Sequence, residues 1–166
     1  MKKQLKICFL ILFIILCFYS IWSTISTSNT KIESHKQFWN QIEKNLILIN
    51  NEISEVLDKN NTDTTSSLKT ITLTCEDTGA ILDYNSKVLF DWYEGTGIWN
   101  TIANKVFDIA TSNAKSQTFS QKDIDYLKNL QLANEELLKA LQAKSLSLYK
   151  DNSYQTNLIN QYVSHF

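Results

Sequence analysis

The chain has 166 residues, 43% of them hydrophobic and 20% charged, with three glycines, three cysteines and no proline. That composition excludes a disordered, collagenous or disulfide-rich chain, and so few turn formers argue against an all-β sandwich or barrel, whose turns recur about every 8–12 residues. Net charge is −1 and all sixteen basic residues are lysines, so nucleic acid is a poor partner and the bidentate guanidinium fork of many phosphate and carboxylate sites is missing.

The N-terminus sets Lys2, Lys3 and Lys6 before an uninterrupted apolar run from Ile7 to Tyr19, followed by Ser20, Ile21, Trp22, Ser23, Thr24 and Ile25. At about 1.5 Å per residue, a helix over 7–25 approaches the roughly 30 Å hydrocarbon core of a bilayer, which favours a retained transmembrane anchor over a signal peptide. Tyr19 and Trp22 suit the aromatic belt at the outer interface. The three lysines place residues 1–6 in the cytoplasm and the C-terminus outside. The alternative is secretion after cleavage behind Ser26 or Ser28, although no Ala-x-Ala-like site supports it. Lipidation at Cys17 fails because Leu16 precedes it, where a lipobox needs a small residue.

Residues 26–30 read as a linker and 31–166 as an extracytoplasmic all-α domain. Over 31–58, Ile32, His35, Trp39, Ile42, Leu46, Ile49, Ile53 and Val56 recur at steps of three and four, the seam of an amphipathic helix. The polar stretch 58–66 predicts a solvent loop. A second helix continues the spacing through Leu68, Ile71, Cys75, Thr78, Leu82, Asn85, Leu89 and Trp92, with Thr78 and Asn85 weakening the seam. Alternation and β-branching over Thr70–Cys75 favour a strand locally, but a single strand without partners makes no sheet, so helix is the expectation.

Gly95 and Gly97 suit a reversal rather than a helix interior. A third helix follows over 98–114, with Trp99, Ile102, Val106, Ile109 and Ala110 on one side. The fourth starts at Ser120, which forms a capping-box pattern with Asp123, and buries Ile124, Leu127, Leu130, Leu137, Leu138, Leu141 and Leu148. An unbroken helix to residue 166 would overrun the bilayer, so a break is expected at 150–153, ahead of a short terminal helix with Leu158, Ile159, Tyr162, Val163 and Phe166. The expected architecture is an antiparallel four-helix bundle with a C-terminal tail helix. The alternative is a three-helix bundle in which the second and third segments form one bent rod.

Chemistry is sparse. Asp77-Thr78-Gly79-Ala80 resembles the signature of retroviral-type aspartic proteases, an all-β family whose aspartates share a proton to activate water. Here Cys75-Glu76 replaces the preceding hydrophobic strand, and the flap and later hydrophobic-Gly sequence are missing, so Asp77 reads as a solvated helix residue. His35 and His165 lie at opposite ends of the exported chain, and both are expected at the membrane-proximal end of the bundle. No His-x-x-x-His or Cys-x-x-Cys occurs, so neither metal nor cofactor is expected, and no enzyme. Cys75, the single thiol beyond the membrane segment, reads as a small buried hydrophobe.

One recognition feature remains, the aromatic turn from Phe90 to Trp99, where Trp92, Tyr93 and Trp99 flank flexible glycines and are candidate partner contacts. Closure of the bundle core by Trp92 and Trp99 is the competing reading. Beyond residue 30 there are thirteen lysines against seventeen acids, a mildly acidic surface. Taken together, these residues predict a single-pass, membrane-anchored bundle of the cell envelope, bacterial by its Ile, Asn and Lys richness, acting by non-enzymatic protein–protein interaction. Its partners would be the bilayer through 7–25 and an envelope or membrane protein, with self-association through the 32–56 seam as a coiled-coil alternative. A sensor-like bundle binding a small ligand and signalling through a partner is the second expectation. A hydrolase is the third.

Overall fold

The computed structural model describes residues 2–58, 64–85, 96–116 and 118–166; the side chains of 2–12, 96, 116, 146 and 152 lie outside that description. Among the described residues there are six helices and no strand: α1 (Lys2–Leu57), α2 (Thr64–Asn85), α3 (Thr96–Ser116), α4 (Gln121–Gln142), α5 (Leu146–Lys150) and α6 (Asn152–Val163). The all-α expectation holds. Two compact units divide the chain, residues 1–36 and 37–166.

In the first unit the chain is helical throughout residues 2–36. Residues 26–30, expected as a linker, are therefore part of α1. Their hydroxyls explain how: Thr24, Thr27, Thr30 and Ser34 each donate to the carbonyl four residues back, at 2.8–3.0 Å, so these side chains satisfy themselves against the helix instead of competing with it. Among the described residues no helix is long and apolar enough to cross a membrane. The expected span over 7–25 thus draws no support from that test, and the side chains of its first six residues, 7–12, lie outside the description. From Phe13 to Ile25 every residue is exposed.

The second unit is a helical bundle. Its α1 portion buries the predicted seam: Trp39, Ile42, Leu46, Ile49 and Ile53 are all at most 1% exposed. Side-chain bonds fix the helix directions. Asn45 reaches Thr78 and Ser67 reaches Glu55, so α1 and α2 run antiparallel. Gln131 bonds Ser54 and Asn134 bonds Asn50, which sets α4 antiparallel to α1.

The α2–α3 pair is also antiparallel, since Asn113 bonds Thr64 at one end while Gly79 faces Trp99 and Asn100 at the other. One bent rod is thereby ruled out. Gly79 lets the two helices approach closely, for a Cβ there would stand 3.2 Å from Trp99 Cβ and 3.2 Å from Asn100 Oδ1. The threonine-rich stretch of α2 is helical despite its strand-like alternation. Thr72, Thr74 and Thr78 back-bond to Leu68, Thr70 and Thr74, and all three threonines are buried.

Several boundaries differ from expectation. The loop predicted over 58–66 yields to helix from Thr64, and the predicted continuation of the second helix to Leu89 and Trp92 falls outside the described residues. The capping box at Ser120 forms as predicted: its Oγ accepts from Asp123 N at 3.2 Å while Asp123 Oδ2 accepts from Ser120 N at 3.3 Å. The fourth helix, expected to run on to Leu148, instead ends at Gln142. Lys144 turns into the left-handed region, φ 46°, and Ser145 caps α5. The expected break at 150–153 is present at Asp151, whose carboxylate accepts from Ser153 N and Tyr154 N to start α6.

Candidate functional site

The bundle interior carries a polar thread across three helices. On α4, Asn134 is fully buried and donates through Nδ2 to Asn50 Oδ1 of α1 at 2.9 Å, while its Oδ1 accepts from the Tyr162 hydroxyl of α6 at 2.8 Å. Tyr162 in turn stacks on Trp99 of α3, with ring centroids 4.8 Å apart and planes 15° from parallel. Burial pushes the Tyr162 hydroxyl well above its ordinary value, with Cys75 and Tyr126 adding to the effect. It is a fixed donor, not an acid.

A second polar cluster ties α1 to α2. Asn45 Nδ2 donates to Thr78 Oγ1 at 2.9 Å and to Asp77 Oδ2 at 3.1 Å, and its own carbonyl accepts from Gln41. Asp77 is exposed, as expected for a solvated helix residue, and here it accepts a hydrogen bond from an amide; no second aspartate takes part in these contacts. Cys75 is buried, and burial followed by the nearby Glu76 carboxylate raises its thiol to about 12, which leaves it protonated and unreactive near neutrality.

Between α4 and α6 lies a cleft of about 60 Å³, lined by Ala133, Glu136, Leu137, Leu158, Tyr162 and His165 among others. That is room for a few waters. At its edge His165 Nε2 meets Glu136 Oε2 at 3.0 Å, and Asn129 Nδ2 donates to the His165 carbonyl at 2.7 Å. His165 is thus engaged on α4, and His35 is a buried residue of the first unit. Among the described residues no group of three or more His, Cys, Asp or Glu could hold a metal ion.

Of the candidate partner contacts, Trp99 is 0% exposed. It closes the core against Tyr162, as its competing reading had it, and offers no surface to a partner. Trp92 and Tyr93 lie outside the described residues, as do the side chains of Lys2, Lys3 and Lys6. Tyr19 and Trp22, the expected interface aromatics, are 70% and 74% exposed. Sequence reasoning missed Asn45, Asn50 and Asn134. The readable signal was the gap in the α4 leucine pattern between Leu130 and Leu137, where Asn134 holds a seam position.

The chain matches no family model, no curated protein and no solved structure.

Proposed function

We propose that this is a single-pass membrane protein, anchored through residues 7–25 with its N-terminus inside, that displays the 37–166 bundle outside the membrane for non-enzymatic interaction with an envelope or membrane protein. One observation carries the anchoring. Phe13, Ile14, Ile15 and Leu16 are 45–65% exposed, and Phe18, Tyr19, Ile21, Trp22 and Ile25 are 53–74% exposed. Successive residues of a helix point about 100° apart, so over 13–19 this surface is apolar on every side, and polar groups return only at Ser20, Ser23 and Thr24 on one face, unlike the single apolar stripe of a helix lying on a globular core. Water is a costly solvent for it; a bilayer is not.

The interaction reading is supported by what the bundle core is made of. Among the described residues, Asn45 bonds Thr78, and Asn134 bonds both Asn50 and Tyr162, an arrangement of polar groups between helices that sets their register. Fractionating cells that express the tagged chain, with alkaline carbonate extraction followed by in-cell crosslinking and detergent purification, tests both halves. Retention in the carbonate pellet with one envelope or membrane protein crosslinked through residues 37–166 is expected. Release into the carbonate supernatant would end the anchoring, and a chain crosslinked to nothing would end the interaction.

A further inference from the structure

The end of the chain is attached to the bundle differently from the rest. Between α4 and α6 the backbone breaks twice within nine residues, at Ala143–Ser145 and at Asp151. Lys144 sits at φ 46°, a left-handed conformation that side chains with a Cβ rarely adopt and that glycine or asparagine normally supplies. Two helix caps, Ser145 and Asp151, reset the chain direction on either side of α5.

The docking face of α6 is also poorly matched to what lies beneath it. Gln155 is fully buried, and although its Nε2 donates to the Leu148 carbonyl at 2.7 Å, its Oε1 has no hydrogen-bond partner among the described residues. The 60 Å³ cleft lies under the same helix, where Leu158 and Tyr162 fail to fill the space above Ala133, Leu137 and Ala140. What holds α6 down is the burial of Leu158, Ile159 and Tyr162, the last stacked on Trp99, and a few directional contacts: the Tyr162 hydroxyl on Asn134, Asn129 on the His165 carbonyl, the His165–Glu136 pair, and the Phe166 ring 6.1 Å from Tyr126. By contrast, α2 and α3 meet at close backbone range around Gly79.

We propose that α5 and α6 form a hinged strap that undocks from α4 as a unit while α1 to α4 stay folded, pivoting at Lys144. Undocking uncovers the face of α4 that carries Ala133, Leu137 and Ala140 together with one face of Trp99, and it solvates the orphaned Gln155 carbonyl. Elements with unsatisfied buried groups and imperfect packing open locally at free energies below that of global unfolding.

Hydrogen exchange by mass spectrometry on the full chain in detergent, at neutral pH and over sub-denaturing urea, tests the strap. Amides of 153–163 should exchange about tenfold or more faster than those of 68–82, with a weaker urea dependence, as sub-global opening requires. A ratio near one with a shared urea dependence overturns the proposal. Tyr162→Phe supplies the second arm: losing its bond to Asn134 while keeping the ring should speed exchange of 153–163 several-fold further and leave 68–82 unchanged. Equal acceleration of both segments would make the strap part of one cooperative unit and would also overturn it.

Discussion

At the scale of single residues, Asn134 does the most with the least volume, because one amide bonds α1 through Asn50 and α6 through Tyr162. A leucine in its place would continue the α4 seam, so the asparagine costs hydrophobic burial and gives register in return: slip α1 or α6 by a residue and one bond is lost, slip α4 and both are. Asn134→Ala should therefore destabilise the bundle by about 2–3 kcal/mol in urea unfolding, from the tyrosine hydroxyl and Asn50 carbonyl left without partners plus the small cavity. A loss under about 0.5 kcal/mol would mean that water replaces the amide at little cost. The same neighbourhood makes stability depend on alkaline pH. Cys75 and Tyr126 are each raised to about 12 by burial first, and Tyr162 lies well above 10. Groups raised in the folded state hold their protons while the unfolded chain loses them, so their contribution is complete below about pH 9 and is lost as pH climbs toward 12. Urea midpoints measured at pH 8, 10 and 11 should fall steadily, and Tyr162→Phe should flatten part of that fall; a flat profile in the unsubstituted chain would contradict the burial of these hydroxyls.

Among the elements, the α2–α3 pairing depends on Gly79 for closeness. A leucine there has nowhere to go, because a Cβ already meets the Trp99 Cβ at 3.2 Å and that atom is fixed to a helix backbone. Gly79→Leu should push the helices apart and cost about 1–3 kcal/mol, seen as a lower thermal midpoint and a red-shifted Trp99 emission; an unchanged midpoint would show that the helices separate freely. The elements also show how far the sequence could be read. The α1 seam was legible because Trp39, Ile42, Leu46, Ile49 and Ile53 repeat at helical spacing and all are buried. The capping box was legible because Ser120 and Asp123 signal their own geometry. The early end of α4 was not, since Leu148 keeps the leucine spacing across the break and a lysine at positive φ carries no sequence mark. Trp99 reads equally well as a recognition residue or a core residue, because a tryptophan beside a turn serves both; only the stacking on Tyr162, 63 residues away in sequence, decides it.

For the molecule as a whole, the two units differ in what they bury. Residues 37–166 bury their seams against one another, whereas the helix of residues 13–25 leaves large apolar side chains exposed on every side. If that surface is what holds the chain to a bilayer, charge placed there should abolish membrane retention and do nothing to the bundle. Ile14→Lys combined with Phe18→Lys puts two ammonium groups one turn apart at positions 45% and 70% exposed, so neither displaces a packed neighbour. Each lysine costs about 2.5–3.5 kcal/mol near the centre of a membrane helix, and a span of marginal length tolerates two such insertions poorly. The substituted chain should move from the carbonate pellet to the supernatant, while the urea midpoint of the bundle, followed by far-UV circular dichroism, stays where it was because the sites share no partners with the core. If the doubly substituted chain stays in the pellet, attachment runs through the bundle or a partner, and the exposed surface of 13–25 is then a protein contact instead of a lipid one.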